Sequence, residues 1–153
     1  MATIHDLEGS DQLPWGFHDG KLVTLVVDWL RESATFDLRA QVTERQDHDR
    51  LLRVTVTGLE WLVVDPPQTR HPLFDPAREG GWDIDSRPGT AREGLPPVPE
   101  GAFVHYFWLL LRNSSIHVCA RDASWEWLED EPRASGGGGV YFPGDELPDF
   151  PKT

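Results

Sequence analysis

Two blocks of short alternating apolar segments, residues 21–64 and 102–128, flank a stretch rich in Pro and Gly at 66–101. Apolar residues recurring at every second position put one face of an extended chain against a core. The pattern predicts an all-β, antiparallel meander forming a curved sheet or a two-layer sandwich of six or seven strands, with the 66–101 stretch as a long insert across one side. Seven Trp and seven Phe against one Met give the apolar mass an aromatic and β-branched character, which favours sheets over helices.

The first strand is expected at 21–29, with Val23, Leu25, Val27 and Trp29 on one face and Leu22, Thr24, Val26 and Asp28 on the other. Both faces are semi-apolar, so this strand is expected to be central and covered on both sides. After a turn at Arg31-Glu32-Ser33, residues 34–43 alternate with Ala34, Phe36, Leu38, Ala40 and Val42 inward. Residues 51–57 follow with Leu52, Val54 and Val56 inward. Gly58 marks a bulge or bend, and 59–65 continues as a short or edge strand. The core is predicted to unite Val23, Leu25, Phe36, Leu38, Val54, Val56, Phe107, Ile116 and Val118.

Within 66–101, Asp75-Pro76-Ala77-Arg78-Glu79-Gly80 has the cap, the first-turn proline and the stop of one helical turn. Trp82 and Ile84 are expected to pin the insert to the body, and Leu95-Pro96-Pro97-Val98-Pro99 to run extended. The segment 103–111, apolar on both faces, is expected to be a fully buried strand. Residues 115–121 should return with Ile116, Val118 and Ala120 inward and His117, Cys119 and Arg121 outward, and 124–129 should form the last strand. The chain is read as a single domain: an arm (1–14), a first strand block (15–65), the insert (66–101), a second strand block (102–129), and a Gly-rich link with an acidic tail (130–153).

The formal charge is −12, from 14 basic and 26 acidic residues. Nucleic acid is therefore not an expected partner, because phosphate binding needs a basic surface. Acids concentrate at both chain ends: Asp6, Glu8, Asp11 and Asp19 precede the first Lys or Arg, and Asp130, Glu131, Asp145 and Glu146 lie in a stretch with only Arg133 and Lys152 as counter-charges. Such ends suit a basic protein partner. No apolar run is long enough for a membrane-spanning helix. With no signal-type N-terminus and a lone cysteine, Cys119, the expected setting is the cytoplasm.

Candidate chemistry is sparse. His18-Asp19 pairs an imidazole with an acid just before the first strand, a base or a turn cap. His105 shares a face with Phe103 and Phe107, either as a core histidine or at the rim of a pocket beneath the insert, and Trp82 is a further candidate binding residue. Trp125 and Trp127 form an aromatic ribbon able to stack a ligand or to cap the core. Cys119, between His117 and Arg121 on one strand face, is weighed as a stabilised thiolate and as chance placement. No Gly-x-Ser-x-Gly elbow, phosphate loop or zinc spacing occurs, so no metal, no cofactor and no hydrolytic nucleophile–base pair is expected.

The opening Trp15-Gly16-Phe17-His18-Asp19-Gly20-Lys21-Leu22, with the apolar strand running to Asp28-Trp29, resembles small uncharacterised bacterial β-proteins that begin aromatic-x-His-Asp-Ala/Gly-x-Leu. Val54-Thr55-Val56-Thr57-Gly58-Leu59-Glu60-Trp61-Leu62 is similar to their third-strand segment. Some of those proteins resemble immunity proteins of bacterial toxin systems. The resemblance covers about the first 65 residues, has Gly20 where Ala is commoner, and has no counterpart for the insert. It implies a β-meander more than an activity, and points to a protein-binding module of immunity type. The competing expectation, from the residues alone, is a small-ligand binder or enzyme with a pocket under 66–101 and His18, Asp19 or His105 at its rim.

Overall fold

A computed structural model describes residues 1–68 and 73–135. Its elements are α1 (Ile4–Leu7), β1 (Lys21–Asp28), β2 (Ser33–Gln41), β3 (His48–Thr57), β4 (Trp61–Val64), α2 (Pro76–Glu79), β5 (Trp82–Pro88), β6 (Phe103–Leu109), β7 (Ser114–Ala120), β8 (Asp122–Trp127) and β9 (Arg133–Ala134). The nine strands are antiparallel, in the order β4-β7-β6-β5-β1-β2-β3-β8, with β9 beside β3. The protein is all-β, and the expected meander is β1-β2-β3.

The ends of that strand order come back together through the chain itself. β3 bends at Gly58 and continues as β4, while β7 continues past Arg121 as β8. The two bent strands run side by side, Thr57 opposite Asp122 before the bend and Trp61 opposite Cys119 after it. Gly58 has φ 61°, and a Cβ there would lie 2.9 Å from the Arg121 Cβ, so the crossing needs glycine. Phe36 on β2 and Phe107 on β6 stand 5.1 Å apart by ring centroid. Three strand spacings separate those strands, about 14 Å in a flat sheet. The sheet therefore folds over, and its two halves enclose the core between them. Phe36, Leu38, Leu52, Val54, Val56, Ile84, Phe107, Ile116 and Val118 are all buried there.

Several expectations need correction. Val23 is 43% exposed, because a bulge between Leu22 and Thr24 shifts the alternation. Leu22 faces inward in its place, alongside Leu25 and Val27 as expected, and the three stand opposite Leu38, Phe36 and Ala34. Trp29 lies past the strand end and is exposed, as is Val26, so β1 is not covered on both faces. The 66–101 stretch is no mere insert. It holds α2, capped by Asp75 and stopped at Gly80 as expected, and then β5, whose Ile84 is buried and which joins the halves through Lys21–Asp83 and Leu22–Trp82. The most deeply buried strand is β7, not β6. Its outward side is covered by the segment after β5, where the Ala91 N–H donates to His117 Nε2 and Arg92 pairs with Asp65. The arm is not loose: Thr3 and Asp6 form a capping box, Ile4 and Leu13 are buried, and the Ala2 N–H donates to Asp122 on β8.

Candidate functional site

β1 begins, β2 ends and β3 begins at one end of the sheet, and three loops meet there. Residues 5–20 are tied to 42–47 by the Trp15 Nε1–H donating to the Thr43 carbonyl (2.9 Å) and by the Gln46 amide donating to Asp19 (2.8 Å). Residues 128–135 join them through the Ser135 N–H and the Asp47 carbonyl (2.9 Å). Acids outnumber bases in each loop: Glu8, Asp11 and Asp19 in the first, Glu44 and Asp47 against Arg45 in the second, Glu129, Asp130 and Glu131 against Arg133 in the third. Folding thus gathers acids from widely separated parts of the chain at one end.

Beneath this surface lies a buried ion-pair network. Arg39 is held by Asp49 (2.7 Å) and Glu129 (2.7 Å), and Lys21 by Asp83 (2.8 Å). The Arg39 hydrogen bond holds the Glu129 carboxyl below its usual pKa. A cleft of about 400 Å³ beside α2 is lined by Lys21, Asp49, Arg78 and Arg133, whose charges already pair among the protein's own groups, and neither His18, Asp19 nor His105 reaches it.

A second cleft, about 420 Å³, opens between His5, Glu8, Pro14, Trp15, Gly16 and His18. His18 does not pair with its neighbour Asp19. Asp19 adopts a left-handed φ of 57°, and its carboxylate accepts from Gln46. The partner of His18 Nδ1 is Asp85 on β5, which also binds Arg87. Burial works against the Asp85 carboxylate, but the hydrogen bonds from His18 and Arg87 outweigh it and keep its pKa low. The other ring nitrogen, Nε2, has no hydrogen-bond partner among the described residues.

Glu8 forms the floor of the cleft. Its side chain is only 8% exposed, and its Oε2 accepts from the Phe17 N–H at 2.8 Å. Burial raises its pKa, opposed by that hydrogen bond and by nearby His18. No Lys or Arg forms an ion pair with it among the described residues. Behind it, His105 Nε2 lies 2.7 Å from Ser86 Oγ and 4.0 Å from Glu8 Oε1. His105 is therefore a core histidine rather than a rim residue, its pKa pushed down to about 3 by burial. Ser86 and His105 are a hydroxyl–imidazole pair that sequence spacing did not reveal, and both are too buried to meet a substrate.

The other expected residues lie apart from this cleft. Trp82 packs on Phe74 and beneath the Arg112 guanidinium. Trp125 and Trp127 meet edge to face and pack against the core, with Arg50 over Trp127 and Gln12 accepting from its Nε1–H, so they cap the core rather than form a free platform. Cys119 is fully buried, and burial pushes its thiol pKa up, the opposite of a stabilised thiolate. Asp130 and Glu131 are exposed at the acidic end, and Asp145 and Glu146 lie outside the described residues. Among the described residues no three His, Cys, Asp or Glu groups are placed to hold a metal, and no helix is long and apolar enough to cross a membrane. Asp85 and Glu8 are the functional candidates that sequence spacing missed. Both are visible in sequence only as acids, and their partners come from distant segments.

Comparison with known proteins finds no family, no curated protein and no solved structure that matches this chain.

Proposed function

We propose that the chain is a protein-binding module that captures a basic partner at its acidic end, as an immunity protein neutralises a toxin. The observation that carries this reading is the joining of three loops that carry acids, the first of which also lines the cleft of His18, Glu8 and Trp15. An acidic surface steers a basic protein toward it and raises the association rate. Glu8, a buried carboxylate with no ion-paired Lys or Arg among the described residues, and the half-exposed Trp15 indole beside it suit one cationic side chain of the partner. The short resemblance around His18 to immunity-like bacterial proteins supports the same reading, and the free, buried Cys119 suits a reducing cytoplasm.

The test begins with the partner recovered from the native host lysate. Its association rate is measured against salt for the native protein and for a variant carrying Glu44→Gln, Asp130→Asn and Glu131→Gln, all exposed positions. The variant should associate about tenfold more slowly at low salt and show a flatter salt dependence. Glu8→Gln should act on dissociation instead. Equal salt slopes for both proteins would refute the electrostatic basis of the reading.

A further inference from the structure

A different part of the molecule carries a separate inference. On the side of β1 away from β2, β5 pairs only with Lys21 and Leu22. There the chain turns off at Gly81, whose φ is 133° and where a Cβ would lie 2.6 Å from the Leu22 carbonyl oxygen. From Val23 to Asp28 that edge has no strand beside it among the described residues. Natural edge strands are commonly guarded by charge or proline. Val23-Thr24-Leu25-Val26-Val27 contains neither.

The surroundings of the edge are apolar and open. Val26 is 57% exposed, Trp29 74% and Leu30 98%. Leu25 and Val27 face the core yet remain only partly buried.

We propose that the open edge of β1 pairs antiparallel with the same edge of a second copy of this chain, forming a two-fold dimer with the sheet continuous across it. Opposed residues in an antiparallel pair must share a face. An axis through Val26 meets that rule. It sets Val26 against Val26 of the second copy on the outer face, Thr24 against Asp28, and inward-facing Leu25 against Val27. The strands then supply each other's missing neighbour.

The same register brings the hairpin tip beside a hollow. Trp29, with Leu30 beside it in the turn, falls next to Val23 of the second copy, just short of Leu22, whose edge Trp82 of β5 already holds. A cleft of about 410 Å³ opens at those residues, walled by Leu22, Val23, Pro76, Ala77 and Trp82. Arg39 and Arg133 at its far side are already paired with Asp49 and Glu129, so the hollow offers its apolar wall to the tip. Knob and hole lie on one patch, which is what a self-complementary two-fold interface requires. The acidic end's partner surface is not needed for this contact.

Sedimentation equilibrium and light scattering across micromolar concentrations test the proposal, with Val26→Cys and Val26→Lys. The native chain should shift from monomer to dimer mass as concentration rises. Val26→Cys should give a disulfide-linked dimer on mild oxidation, because directly opposed strand residues lie within disulfide reach. Ser124→Cys, exposed on β8, should not. Val26→Lys places two like charges across the axis and should weaken the dimer by about tenfold or more. Its urea midpoint, measured at a concentration where the native chain is monomeric, should match the native value. A monomer at every concentration without Val26→Cys cross-linking would overturn the proposal and leave the edge to another protein's strand. A dimer that Val26→Lys does not weaken would overturn it too.

Discussion

Lowering the pH from 7 to 5 should cost the native protein about 2 kcal/mol of stability through His105 alone. His105 is 1% exposed, beside Ser86 and behind Glu8, and burial pushes its pKa from 6.5 down to about 3. Below pH 6.5 the unfolded chain takes up a proton on this ring that the folded chain refuses. Stability is therefore intact above pH 6.5 and is lost as the pH falls toward 3. The whole separation is worth about 5 kcal/mol, of which about 2 kcal/mol falls between pH 7 and 5. Glu8 acts with the opposite sign, since burial raises its pKa and the folded chain takes its proton first. His117, whose pKa burial also lowers, acts with the same sign as His105. Comparison with His105→Gln isolates the single ring, because the other groups are common to both proteins. The carboxylates held low by their partners, Asp37 and Glu129 among them, lose their contribution only at more acidic pH. Urea unfolding at pH 7 and pH 5 is the assay. The native protein should lose about 2 kcal/mol more than the variant over that interval. Equal losses would refute the reasoning, by showing that His105 is protonated in the folded state with Glu8, 4.0 Å away, as its counter-ion.

Three further outcomes follow from the packing and the ion pairs. Phe36→Ala removes a fully buried ring that packs on Phe107 and should destabilise the fold by about 3–5 kcal/mol in urea unfolding. Gly81→Ala forces a Cβ against the Leu22 carbonyl at positive φ and should cost about 2 kcal/mol or more, lowering the melting temperature. Asp49→Ala takes one of two carboxylates from buried Arg39 and should cost about 3 kcal/mol, whereas exposed Asp130→Ala should change stability by less than about 0.5 kcal/mol.

The all-β class, the β1-β2-β3 meander, the single turn of α2 and the bend at Gly58 were legible in the chain itself. Each rests on a local property: a two-residue period, a cap with its proline and glycine, or a glycine next to an apolar strand. The candidate site was legible only in part. His18 stands out beside Asp19, and Asp130 and Glu131 stand out as unbalanced charge. Yet His18 takes Asp85 as its partner, 67 residues away, because β5 runs back past the start of β1. The single bulged residue at Val23 breaks the expected face of β1 at its start: Leu22 turns inward in place of Val23, while Leu25 and Val27 keep the face their alternation assigns, since one inserted residue reverses the parity on one side of it only. His117 and Cys119 look outward by alternation and are buried because the segment after β5 closes over them. Alternation specifies which residues share a face of a strand. Which strand or loop covers that face, and which distant acids meet at one end, depends on long-range register, and only the folded chain decides that.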